Sequence, residues 1–131
     1  MARKMAETIK SAQKRAQQSD YHASNYTQIG DYIFQRHLGA GSYASVKEAK
    51  HKATGMLVAI KIYDKQRLEN SCSRKKGVIK EIQSLNKVEH PCLPKLFDVI
   101  DSPSQIYLVM ECIQGQNLTT LLNRDLFLKN C

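Results

Sequence analysis

A lysine closes one of the most apolar runs in this chain, Met56-Leu-Val-Ala-Ile-Lys61. The run has the length and branched content of a buried strand. An ammonium at the end of such a strand needs an anionic partner or an exit to water, because burying it unpaired is costly. Glu81 stands 20 residues on, within 72–87. There Val78, Ile79, Ile82 and Leu85 recur at helical spacing while Lys and Arg fill the other positions. Glu81 is the expected counter-charge for Lys61. A fold that satisfies both residues must lay this helix against this strand.

The segment before the lysine narrows the choice. Tyr32–Leu38 has strand-like content, followed by Gly39-Ala-Gly41-Ser-Tyr and a second strand-like run, Ala44–Ala49. A dinucleotide fingerprint would put a helix after the glycines, and a Walker loop would require Gly-Lys-Ser/Thr. Neither occurs. The glycines sit in a β-hairpin, whose backbone N–H groups are placed to close over phosphates. His51-Lys-Ala-Thr-Gly55 is a turn signal before the apolar strand 56–63. His90-Pro91 ends the helix, since a residue before proline avoids helical geometry. Lys95–Ile100 and Gln105–Cys112 read as two further strands around the Asp101-Ser-Pro103 turn, and a short helix is expected to begin near Asn117. The order β-β-β-α-β-β is that of one α+β unit.

The 131 residues have ordinary globular composition, with 42% hydrophobic and 24% charged residues. They suffice for one modest core. No apolar run approaches the ~18 residues of a membrane span, and the start lacks the apolar stretch of a secretory signal. A cytoplasmic or nuclear setting is expected. The four cysteines, Cys72, Cys92, Cys112 and Cys131, form no Cys-x-x-Cys pair and have no histidine at zinc spacing. They read as free thiols, and no metal site is assigned.

The net charge is +8, of which residues 1–27 supply five cations against Glu7 and Asp20. Met5, Ile9, Ala12 and Ala16 fall at helical spacing there, so a partly helical basic tail is expected before the domain at 28–131. The excess favours anionic partners without choosing among them.

Taken together these residues resemble a protein kinase, specifically its ATP-binding N-terminal lobe. The family pattern Gly-x-Gly-x-x-Gly-x-Val is met by Gly39-Ala-Gly41-Ser-Tyr-Ala44-Ser-Val46, and Val-Ala-Ile-Lys is intact at 58–61. Lys80-Glu81-Ile82, His90-Pro91 and Ile106-Tyr-Leu-Val-Met-Glu111 are also similar to the family. The likeness spans about residues 32–122. Thr54-Gly55 and Ile62-Tyr-Asp-Lys65 lend it the flavour of calcium/calmodulin-dependent serine/threonine kinases.

The resemblance implies a five-stranded antiparallel sheet with one αC-type helix, and ATP with Mg²⁺ as cofactors. Leu38, Val46 and Ala59 would sandwich adenine, with Gly39 and Gly41 near the phosphates. Lys61 would hold the α- and β-phosphates and pair with Glu81. Met110 would be the gatekeeper, and the backbone of Glu111 and Ile113 would meet the adenine edge. Asn117 stands where the family often has an acidic ribose contact, and Leu85 and Leu96 match its regulatory hydrophobic spine. Ala44 replaces the third glycine of the loop.

The family's chemistry also needs a catalytic-loop aspartate and an Asp-Phe-Gly aspartate. No Asp-Phe-Gly or Ala-Pro-Glu is present, so no catalytic set is complete. Asn123-Arg124-Asp125-Leu126 and Asn130 imitate His-Arg-Asp-Leu-x-x-x-Asn, but Asp125 follows Glu111 by only 14 residues. The segment is expected to be a decoy within a helix that begins the second lobe. These residues alone are then expected to be inactive and to leave an apolar underside exposed.

A complete form would phosphorylate protein serine or threonine. The alternative expectation is a freestanding, pseudokinase-like module that binds nucleotide, a kinase or a regulatory partner. Nucleic acid is not an expected partner, because no base-stacking aromatic pattern is present.

Overall fold

The computed structural model describes residues 27–129, with side chains through Arg124. The proposed tail helix around Met5–Ala16 lies outside the described residues. Six strands form one antiparallel sheet: β1 (Gln28–Ile29), β2 (Tyr32–Ala40), β3 (Ala44–His51), β4 (Leu57–Asp64), β5 (Leu96–Asp101) and β6 (Gln105–Glu111). Their order across the sheet is β1-β2-β3-β4-β6-β5. The helices are α1 (Lys65–Glu69), α2 (Cys72–Lys87) and α3 (Leu118–Lys129).

The expected count of five strands is corrected to six. The addition is β1, two residues that pair with Ile33 and Tyr32 across a turn at Gly30, whose φ is 53°. Two residues are too few to show an alternation in sequence. The helix at 72–87 falls where its periodicity placed it, whereas α1 is an additional single turn. Asp64 starts α1 by accepting hydrogen bonds from the N–H groups of Gln66 and Arg67.

Strand β4 is central and apolar on both faces. Val58, Ile60 and Ile62 point to one side, where they join Ile29, Ala49, Ile100, Tyr107 and Val109. Ala59, Lys61 and Tyr63 point to the other, by the alternation of a strand. There Tyr63 joins Leu108 and Val99 of the sheet beneath Leu68 of α1 and Val78 and Ile82 of α2. Each cluster explains a hydrophobic run in the sequence, and α2 is held on the same face as Lys61.

Helix α2 is built against local preference. Its N-cap, Ser71, makes no side-chain capping bond, and its first turn contains no acidic residue. Arg74, Lys75 and Lys76 lie near its N-terminal end, where the helix dipole disfavours cations by about 0.3–1 kcal/mol each at exposed sites. Gly77 in its interior costs about 1 kcal/mol relative to Ala. Burial of Val78 and Ile82 against the sheet holds the helix in place.

Helix α3 begins after Asn117, whose side-chain oxygen accepts the Thr120 N–H at 2.7 Å. Leu118, Leu121 and Leu122 remain exposed on it, and Ile113 before it is 66% exposed. Asp125 sits inside this helix rather than in a loop, as the decoy reading expects; Asn130 lies outside the described residues.

Candidate functional site

The register of the sheet assembles the site. Directly opposite residues of an antiparallel pair share a face. Gly39 of β2 is opposite Val46 of β3, Val46 is opposite Lys61 of β4, and Lys61 is opposite Leu108 of β6. One step along, Glu48, Ala59, Met110 and Leu96 form a second row on the same face. Gly39, Val46, Ala59, Lys61 and Met110, widely separated in sequence, therefore line one patch.

Lys61 donates to Glu81 at 2.8 Å, joining β4 to α2. Glu81 also accepts a short hydrogen bond from the Tyr63 hydroxyl on its other carboxylate oxygen. The Lys61 ammonium lies 5.1 Å from the Tyr63 ring centroid. Burial alone would lower the Lys61 pKa. The hydrogen bonds and charges of Glu81 and Tyr63 outweigh it and hold the ammonium above its ordinary value. Burial, then the bond to Glu81, raises the Tyr63 phenol as well. The lysine is thus charged, oriented and partly open to solvent.

Tyr63 was missed in the sequence. It lies two residues after Lys61 on the same strand, so alternation alone puts it on the same face.

The glycines form the edge of this patch. Gly41 donates to the Ala44 carbonyl at 2.7 Å, closing the β2–β3 hairpin. Neither Gly39 nor Gly41 has a positive φ. A Cβ on Gly39 would meet nothing within 4 Å, and one on Gly41 only the Ala44 oxygen at 3.7 Å. The protein's own packing thus gives no reason for glycine at either place. Bare backbone there suits the close approach of an anion to the hairpin N–H groups. Ala44 packs its methyl onto the cluster beneath α2, so the missing third glycine leaves no strain.

Leu38 is 41% exposed at the rim, and Val46, Ala59 and Met110 are half-buried, leaving an apolar surface beside the lysine. Apolar walls, bare hairpin backbone and a fixed ammonium thus meet in one patch. Among the described residues no three His, Cys, Asp or Glu side chains converge to hold a metal ion.

Other expected residues are placed less directly. Glu111 is tied to Lys95 twice: its N–H donates to the Lys95 carbonyl at 2.8 Å and its carboxylate accepts the Lys95 N–H at 3.2 Å. Ile113 follows on exposed chain. Asn117 caps α3, a structural task that sequence spacing did not reveal. Leu96 packs under α2, and Leu85 is half-buried.

Three further contacts border the patch. The Arg74 guanidinium of α2 stacks 3.8 Å from the ring centroid of Tyr43 at the hairpin tip. Buried Glu48 receives a two-pronged contact from Arg36, with both N···O distances 3.3 Å. The Cys112 thiol lies 3.9 Å from Glu48, and burial followed by the Glu48 charge pushes its pKa up.

A hairpin with open glycines, a strand lysine fixed by a helix glutamate, and an apolar wall between them make up a lobe of the protein kinase type. The sequence model of the protein kinase domain matches residues 32–131, and the chain belongs to that family. It is 38% identical over 90 residues to hormonally up-regulated neu tumor-associated kinase homolog A of Xenopus laevis, covering 69% of this chain and 13% of that protein. The homologous kinase of Xenopus tropicalis gives the same values. Hormonally up-regulated neu tumor-associated kinase of Mus musculus is 37% identical over 95 residues, covering 72% of this chain and 13% of that protein. The chain thus spans 13% of the length of these curated relatives. Among the described residues no helix is long and apolar enough to cross a membrane.

Proposed function

We propose that this chain is the nucleotide-holding part of a serine/threonine protein kinase. In the complete enzyme the γ-phosphate of ATP passes to a serine or threonine hydroxyl of a protein, with Mg²⁺ accompanying the nucleotide. The observation that carries this reading is the 2.8 Å contact between Lys61 and Glu81 beside an open glycine hairpin. Lys61 is the cation for the α- and β-phosphates, and Glu81 aims it. The Gly41 N–H is committed to Ala44, so the N–H groups of the hairpin tip just beyond it receive phosphate oxygens, and bare Gly39 and Gly41 give them room to approach. Leu38, Val46 and Ala59 cover the adenine, and Met110 bounds its depth. The Glu111 N–H is already committed to Lys95, which leaves its carbonyl for the adenine amine; the Ile113 N–H serves the neighbouring ring nitrogen. Asn117 caps a helix first and borders the ribose second.

These 131 residues contain no Asp-Phe-Gly. By themselves they bind nucleotide without transferring phosphate, because transfer depends on positioning the metals and the acceptor hydroxyl.

Titration of the chain with a fluorescent ATP analogue tests the reading. Saturable binding that ATP competes away, and that Lys61→Met weakens by roughly tenfold or more, is the expected result. Equal binding by Lys61→Met, with circular dichroism showing both chains folded, would overturn it.

A further inference from the structure

The outer face of α2 carries charge that nothing in the described structure answers. The helix holds Arg74, Lys75, Lys76, Lys80 and Lys87 against Glu81 alone, and Glu81 is turned inward to Lys61. Arg74 is occupied on Tyr43. Lys75, Lys76, Lys80 and Lys87 are exposed, and none has an ion-pair partner among the described residues.

Helical geometry sorts these residues. Lys76, Lys80 and Lys87, at i, i+4 and i+11, form one row about 17 Å long, opposite the buried Val78 and Ile82. Like charges at i, i+4 repel, so this row opposes the helix that bears it. On one flank run Ser73, Gly77 and Ser84, all exposed. A Cβ on Gly77 would meet nothing within 4 Å, and its φ is ordinary, so neither packing nor backbone geometry calls for glycine there. On the other flank Ile79 is 49% exposed.

We infer that this outer face of α2 docks an acidic helical segment of a partner protein. Carboxylates of the partner pair with the Lys76–Lys80–Lys87 row and relieve its repulsion. The Ser73–Gly77–Ser84 flank lets a second backbone come close, and Ile79 supplies an apolar anchor beside the charges. Residues 1–27 of this chain do not qualify as the occupant, since their five cations against two anions would be repelled. A polynucleotide fits less well, because this face offers no aromatic ring for stacking. A membrane surface would not use the Gly77 notch. The lysine row lies about 100–140° around the helix from Glu81, so its charge stands apart from the nucleotide reading, while Gly77, four residues before Glu81, borders that face.

The probe is a glutamate- and leucine-rich helical peptide, titrated against the 131-residue chain by fluorescence anisotropy. Lys76→Glu/Lys80→Glu is expected to weaken binding roughly tenfold. Lys50→Glu/Lys52→Glu, two exposed lysines elsewhere with the same change in net charge, should leave it nearly unchanged. Gly77→Gln keeps the charge and favours the helix, so its thermal midpoint should hold or rise while binding falls several-fold. Equal losses from both lysine pairs would overturn the proposal, leaving only a net-charge effect. Full binding by Gly77→Gln would overturn it too. So would tighter binding to single-stranded DNA, or to phosphatidylserine vesicles, than to the peptide.

Discussion

Tyr63 and Glu81 are joined through the phenol and one carboxylate oxygen, while the other carboxylate oxygen takes the Lys61 ammonium. Glu81 therefore spends both oxygens on β4. The pair that aims the lysine is a three-residue network, in which the tyrosine fixes the glutamate.

Tyr63→Phe keeps the ring beneath Lys61 and deletes the hydroxyl. A hydrogen bond to a charged, partly buried acceptor contributes about 1.5 kcal/mol, so urea unfolding should show a loss of that size. A double-mutant cycle with Glu81→Gln should give a coupling of about 1 kcal/mol. Strict additivity would mean that the phenol and carboxylate do not cooperate.

The network also sets an alkaline limit. The folded pKa of Lys61 is raised above 10.5 and that of Tyr63 above 10.0. A raised folded pKa means that the folded state holds its proton more tightly. The stabilisation is then complete below the unfolded pKa and is lost as pH rises through the folded one. Stability measured by denaturant should carry no contribution from these two groups to its pH dependence between pH 7 and 9, and should lose their contribution above about pH 10. Tyr63→Phe and Lys61→Met should each flatten that alkaline loss.

Glycines 30 and 39 should respond oppositely to alanine. Gly30 has φ 53° in the β1–β2 turn, so Gly30→Ala should cost about 1 kcal/mol. Gly39 has ordinary φ and open space, so Gly39→Ala should leave stability unchanged or raise it by about 0.5 kcal/mol. Its effect should appear in ATP-analogue affinity, which a new methyl at the phosphate approach weakens. Thermal melts and nucleotide titrations of the two variants separate structural from functional glycine.

What was legible in the sequence was whatever repeats or must be neutralised. The β4 run, the α2 periodicity and the pairing of Lys61 with Glu81 each follow from burial and charge over several residues. Residues that act through one contact left no such pattern. β1 is two residues long, α1 is one turn, and the cap that the Asn117 amide oxygen makes with Thr120 is a single bond. Tyr63 was within reach by alternation from Lys61. Arg36, Glu48 and Cys112 were not, because the bulged β2–β3 register and the chain after β6 bring them together.

Ile60 offers the strictest test of the sheet that positions the site. It is fully buried at the centre of β4, packed with Val58 and Val109 on the face away from Lys61. Ile60→Ala would remove its branched side chain from a cluster bounded by a sheet that cannot collapse inward, a change that costs about 2–5 kcal/mol. Ile60→Val keeps the branch and should cost about 1 kcal/mol. Neither variant touches Lys61, Glu81 or the hairpin directly. Ile60→Val should therefore retain nucleotide affinity with a lower urea midpoint. Ile60→Ala should lose affinity only in proportion to the fraction unfolded, and at low temperature or with stabilising osmolyte its binding should recover. Lost binding in a chain still fully folded by circular dichroism would mean that the outer cluster tunes the site itself rather than supporting it.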